Sequence, residues 1–98
     1  MKRHNSIIPT HPGELLREDI IPALGVSRER FANALGVSRN TLQRILRAES
    51  SVTADMAVRL GFVVGNGPNL WLNMQKDYDL YHAERSIDMS EIKKLEVA

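Results

Sequence analysis

The sequence has no cysteine among its 98 residues. That excludes a disulfide framework and any metal site built on thiolates. Aromatic residues are scarce, at 5%, and β-branched residues nowhere alternate with polar ones at length, so the strand signal is missing. No apolar run approaches the ~20 residues needed to span a bilayer. The opening stretch, MKRHNSIIPTHPG, lacks the apolar core of a secretory signal, and a cytoplasmic location is the expectation. Net charge of one sign is lacking too. The formal sum is only +1, which excludes a uniformly basic nucleic-acid coat. What remains is one domain's length of chain, 43% hydrophobic, able to bury a modest core without cross-links. The expected class is all-α.

What charge there is has been placed. Residues 26–48 hold five arginines (Arg28, Arg30, Arg39, Arg44, Arg47) against one acid, Glu29, a local charge of +4. Residues 73–98 hold four bases and six acids, a local charge of −2. Most charge runs only solvate a helix face, so the pattern of the helices has to decide what the arginines are for.

Five helices are predicted between an N-terminal arm, residues 1–10, and a C-terminal extension, residues 82–98, with the domain proper at 11–81. Pro12 suits a first helical position, where its missing N–H costs nothing, and Glu14 meets the positive end of the helix dipole. Leu15, Leu16, Ile20 and Ile21 give this helix its apolar face, and Pro22 is expected to end it. Ser27 caps a second helix, RERFANAL, with Phe31, Ala34 and Leu35 as its apolar stripe. Ser38 caps a third, RNTLQRILR, with Leu42, Ile45 and Leu46 inward. Thr53 caps a fourth, ADMAVRLGFVV, with Met56, Leu60, Val63 and Val64 as core. Gly61 within it is expected to cost ~1 kcal/mol against alanine. Pro68 opens the fifth, NLWLNMQKDYDLYHAE, and a last helical turn or two follows from Ser90.

The second and third helices meet the steric demands of a DNA-reading pair. Ala32 is the small residue at the crossing, and Gly36, four residues on, can take the positive φ of a tight turn. Phe31, Leu35, Val37, Leu42 and Ile45 are placed to join the two helices. At about 100° per residue, with Leu42 inward, Asn40, Arg44 and Arg47 lie on the far side and Gln43 on its flank. Arg39 and Thr41 sit at the end that enters a major groove. Arginine pairs bidentately with guanine and asparagine with adenine. No acid lies between Ser38 and Ala48 to repel phosphate. Arg28 opens the second helix, where a side chain and backbone N–H groups can meet a phosphate. The expected DNA-binding residues are therefore Arg28, Ser38, Arg39, Asn40, Thr41, Gln43, Arg44 and Arg47. An ordinary helical hairpin has the same spacing but would more often mix glutamate and lysine on that face.

Residues 11–80 resemble the HigA family of antitoxins, also called VapI-like, within the lambda-repressor-like and XRE helix-turn-helix group. The stretches HPGE, LGVSR, TADMAVRL and LWLNMQ with YDL two residues on carry the resemblance, and the tail AERSIDMSEIKKL is similar to the extension of short members. The resemblance implies a five-helix dimer that binds the operator of its own operon and neutralises a HigB toxin, a RelE-like mRNA interferase. The family usually has Asn-Gly after the recognition helix, where this chain has Arg47-Ala48. A positive φ there would be more costly for Ala48 than for glycine. Gly67 stands where a serine cap is usual, and Gly61 where alanine is usual.

A homodimer is expected, because one recognition helix reads few base pairs and two-fold pairing sets two of them about 34 Å apart. Trp71, Leu72, Met74, Leu80, Ile92 and Leu95 exceed what one small core needs and are the candidate dimer or partner surface, although core packing is the first reading of the LWLNM stripe. His4, His11 and His82 lack metal-ligand spacing, and His11, before Pro12, reads as a capping or turn residue. Asp77 and Asp79 read as a solvated face rather than an acid–base pair. No cofactor, metal, membrane partner or catalysis is expected. The readings kept beside the antitoxin are an XRE-type repressor without a toxin partner, a protein–protein adaptor and, last, a ribonuclease.

Overall fold

In a computed structural model that describes residues 8–97, five helices and one 3-10 turn account for all regular structure. The first seven residues of the expected arm, and His4 with them, lie outside the described residues. Helix α1 covers residues 12–24, α2 Arg28–Leu35, α3 Arg39–Leu46, α4 Ala54–Val64 and α5 Asn69–Ser86. The 3-10 turn is Met89–Glu91, one residue earlier than the tail pattern suggests. No strand occurs among the described residues.

Pro22 does not end α1. The chain passes through it to Leu24 by way of a π-helical turn over Leu16–Ile20, in which the Ile21 N–H reaches back to the Leu16 carbonyl. The wider turn accommodates a ring that would otherwise press on the carbonyl of the preceding turn. At the other end His11 is the cap: its Nδ1 accepts the Gly13 N–H at 2.9 Å.

One core joins all five helices. Leu16 and Ile21 come from α1, Phe31, Ala32 and Leu35 from α2, Leu42, Ile45 and Leu46 from α3, Met56, Ala57 and Leu60 from α4, and Trp71 from α5. Ala32, not Ala34, is the buried alanine of α2; Ala34 is exposed. Val63 and Val64 pack against the core only in part.

Gly61 has a role that helix propensity does not show. A Cβ there would run into the backbone of Gly67 and Pro68, so the loop folds directly onto the helix. The expected cost to α4 is thus the condition for its packing, and the Gly67 N–H closes the end of the helix on the Gly61 carbonyl at 3.1 Å.

Trp71 belongs to the core rather than to a surface. It is fully buried, and its Nε1 donates to Asn66 Oδ1 at 3.0 Å. Gln75, one turn on, is buried as well. It accepts the Val52 N–H at 2.7 Å and donates to Asp79 at 3.0 Å, tying α5 to the segment after α3. Beyond this point α5 leaves the core and continues to Ser86, past the expected domain limit at 81. Leu72, Leu80, Ile92 and Leu95 are exposed, and Met74 is half-buried.

A candidate nucleic-acid interface

The two helices that carry the basic face are joined by a turn whose geometry the sequence dictates. Ser27 Oγ accepts the Arg30 N–H at 3.0 Å and starts α2. Gly36 ends it at φ 76°, a conformation that other residues rarely adopt. The Val37 N–H bonds the Ala32 carbonyl and the Gly36 N–H bonds the Asn33 carbonyl, both at 3.1 Å. This paired closure reverses the chain within a few residues. Ser38 Oγ then accepts the Thr41 N–H at 3.1 Å and opens α3.

Two arginines outside the interface hold it in place. Arg59 of α4 donates to the Leu35 carbonyl at 2.9 Å, and Arg17 of α1 donates to the Leu46 carbonyl at 2.8 Å. Each supplies a cation and a donor to a helix C-terminus, where carbonyls lack intrahelical partners. Sequence reasoning missed both roles. Arg59 had a visible signal, the i, i+4 pairing with Asp55 that forms at 2.6 Å. Arg17 had none, since its target is 29 residues away.

On α3 the division of faces is clean. Leu42, Ile45 and Leu46 are buried, whereas Arg39, Asn40, Thr41 and Arg44 are exposed, as is Arg47, which caps the helix one residue past its end rather than belonging to it. Among the described residues none of Arg28, Arg39, Arg44 and Arg47 forms a salt bridge, so their charge is available to an anion. Ser38 and Thr41 are brought together, and the Ser38 hydroxyl donates to Thr41 Oγ1 at 3.0 Å. Ser38 is thus occupied as a cap. Gln43 is half-buried on the flank, where its Oε1 accepts from Arg28 Nη1 at 2.8 Å. That bond brings Arg28 from the start of α2 onto the same surface. After α3 the chain turns at Ala48, which takes φ 60°.

Behind this surface His11 lies 4% exposed. Burial holds its pKa below the ordinary histidine value, against a backbone hydrogen bond with Ser50 and the charges of Asp79 and Glu14. Its ring meets Tyr78 edge-on at 4.9 Å, and Tyr78 meets His82 at 4.4 Å. Among the described residues no cluster of three histidine or acidic side chains is placed to hold a metal.

Residues 16–60, the span from mid-α1 through most of α4, match the helix-turn-helix family. The chain is 42% identical to virulence-associated protein I of Dichelobacter nodosus over 83% of this chain and 75% of that one. The structure aligns with Pseudomonas aeruginosa antitoxin HigA, solved with the higBA promoter, at 34% identity and a TM-score of 0.79, covering 90% of this chain and 96% of that one. It also aligns with antitoxin GraA in complex with its operator, at 38% identity and a TM-score of 0.79, covering 99% and 100%.

The chain belongs to the HigA family. The five helices and the helix-turn-helix are those the family resemblance implies, and the HigA family's members are DNA-binding regulators and antitoxins rather than enzymes. No helix among the described residues is long and apolar enough to cross a membrane.

Proposed function

We propose that this chain is the antitoxin of a toxin–antitoxin module, which represses its own operon by sequence-specific operator binding and neutralises a HigB-like, RelE-like mRNA interferase in the cytoplasm. The observation that carries the reading is the outer face of α3 and its C-cap, where Arg39, Asn40, Arg44 and Arg47 stand exposed and without acidic partners over a buried apolar face. Asn40 and Arg44 offer donors and an acceptor matched to base edges. Arg28, Arg47 and the helix N-termini meet phosphates. Relatives solved with operator and promoter DNA support operator binding as the role of the helix-turn-helix. The chain acts as a homodimer, so that two copies of α3 reach successive major grooves. Leu72, Met74, Leu80, Ile92 and Leu95 form the dimer or toxin surface. The protein does no catalysis of its own.

Two measurements test this. Operator affinity followed by gel shift across a salt series should fall steeply, with a slope of about −0.9 per neutralised phosphate. Co-expression with the RelE-like toxin of its operon should restore growth. A flat salt dependence would favour an adaptor, and operator binding without rescue would leave a repressor that has no toxin partner.

A further inference from the structure

We infer that the groove between α5 and residues 9–10 receives a cationic segment of the toxin, an inference that rests on the toxin-neutralising reading above. Pro9 and Thr10 line one side of the groove, and Met74, Leu80 and Tyr81 of α5 give it apolar surface. Its volume of about 490 Å³ has room for several side chains rather than for one ion. Asp77 and Glu84 line it too, and both are exposed. They stand two helical turns apart, about 10 Å along the axis, with Tyr81 between them on the same face. Neither carboxylate pairs with a cation among the described residues.

The chemistry of the groove selects its occupant. Apolar surface beside two carboxylates suits a lysine or arginine, whose stem packs while its head meets the charge. Arg85 shows the mode. Its guanidinium stacks over the Tyr81 ring at 3.5 Å and donates to the Tyr81 carbonyl at 2.9 Å. That contact commits the cation lining the groove to its own helix. A second copy paired about a two-fold axis presents the same surface, so it brings no uncommitted cation to Asp77 or Glu84 through this face. DNA phosphates are repelled there. An enzyme that acts on mRNA must carry lysines or arginines to hold phosphate, and these are the groups the two carboxylates can take. The charge division within the chain agrees, with +4 over residues 26–48 and −2 over residues 73–98. The groove thus assigns Met74 and Leu80 to the toxin and leaves Leu72, Ile92 and Leu95 for the second copy.

The experiment measures the affinity of the complete protein for the purified RelE-like toxin of its operon across a salt series, beside the double variant Asp77→Asn/Glu84→Gln. These exchanges remove charge and keep shape, at exposed positions outside the core. Wild type should bind more weakly as salt rises, because salt screens exposed charges. The double variant should bind about tenfold more weakly at low salt, as expected for two exposed ion pairs. It should also lose most of the salt dependence, while its operator affinity does not fall and light scattering gives the wild-type mass. Asp77→Lys/Glu84→Lys should fail to restore growth beside the toxin, because like charges then face each other. Circular dichroism would confirm that the variants fold. The inference is overturned if the double variant binds toxin as wild type does. It is overturned as well if the double variant changes oligomeric mass, which gives the groove to a second copy, or loses operator affinity, which gives it to DNA. A wild-type chain that binds no toxin at any salt would instead contradict the proposed neutralising function itself, and the inference with it.

Discussion

Ala48 sits at φ 60°, the only non-glycine residue with a positive φ among those described. An L-residue in that region is strained by roughly 1–2 kcal/mol. Glycine would relieve the strain while giving back part of the gain through a freer unfolded chain. Ala48→Gly should therefore stabilise the protein by about 1 kcal/mol. In a chain of this size that raises the melting temperature by roughly 4–8 °C, which calorimetry would resolve. His11 contributes in a different way. Its folded pKa lies below the unfolded value because burial disfavours the cation. The unfolded chain then binds more protons in the window below about pH 6.5. Stability is complete above that value and is lost as pH falls through it toward the lower folded pKa. His11→Asn keeps a capping acceptor but does not titrate. Urea unfolding at pH 7.5 and 5.5 should show a smaller difference for His11→Asn than for wild type.

At the scale of helices, what could be read depended on the range of the cause. Caps at Ser27, Ser38 and Thr53 and the turn at Gly36 follow from the chain's own neighbours, and all four stand in the structure. At Ala48 only the family's usual glycine pointed to a positive φ, and alanine in its place left the path of the loop open until the structure showed φ 60° there. Pro22 was misread because a local rule cannot foresee that a π-helical turn will absorb the ring. Trp71 was ambiguous because one exposed and one buried apolar residue look alike until α5 is seen to leave the core after Gln75. Gly61 was misread in sign. Propensity counts only the helix's own backbone, on which alanine would gain about 1 kcal/mol, but the loop at Gly67 occupies the space that a Cβ needs. Gly61→Ala should thus destabilise the protein by about 1–3 kcal/mol, the range for overpacking a close contact. Denaturant unfolding measures it, and a gain in stability would show that the loop yields.

In the whole molecule the roles are separated in space. α1 and α4 reach the ends of α3 and α2 through Arg17 and Arg59, so the helix pair that carries the basic face is held from outside that face. Leu72 and Leu80 of α5 and Ile92 and Leu95 of the tail are left exposed. The central claim is that the outer face of α3 reads the operator, and replacing Asn40 and Arg44 together with alanine tests it most directly. Both are exposed and alanine is the better helix former, so the fold should persist by circular dichroism. Each lost base contact should cost roughly 1–3 kcal/mol of discrimination in each half-site. Operator affinity in a gel shift should therefore fall toward that for unrelated DNA, while weak salt-dependent binding through Arg28, Arg39 and Arg47 persists. Unchanged operator affinity in a folded double variant would contradict the account, because the helix that presents these residues would then not be the one that reads.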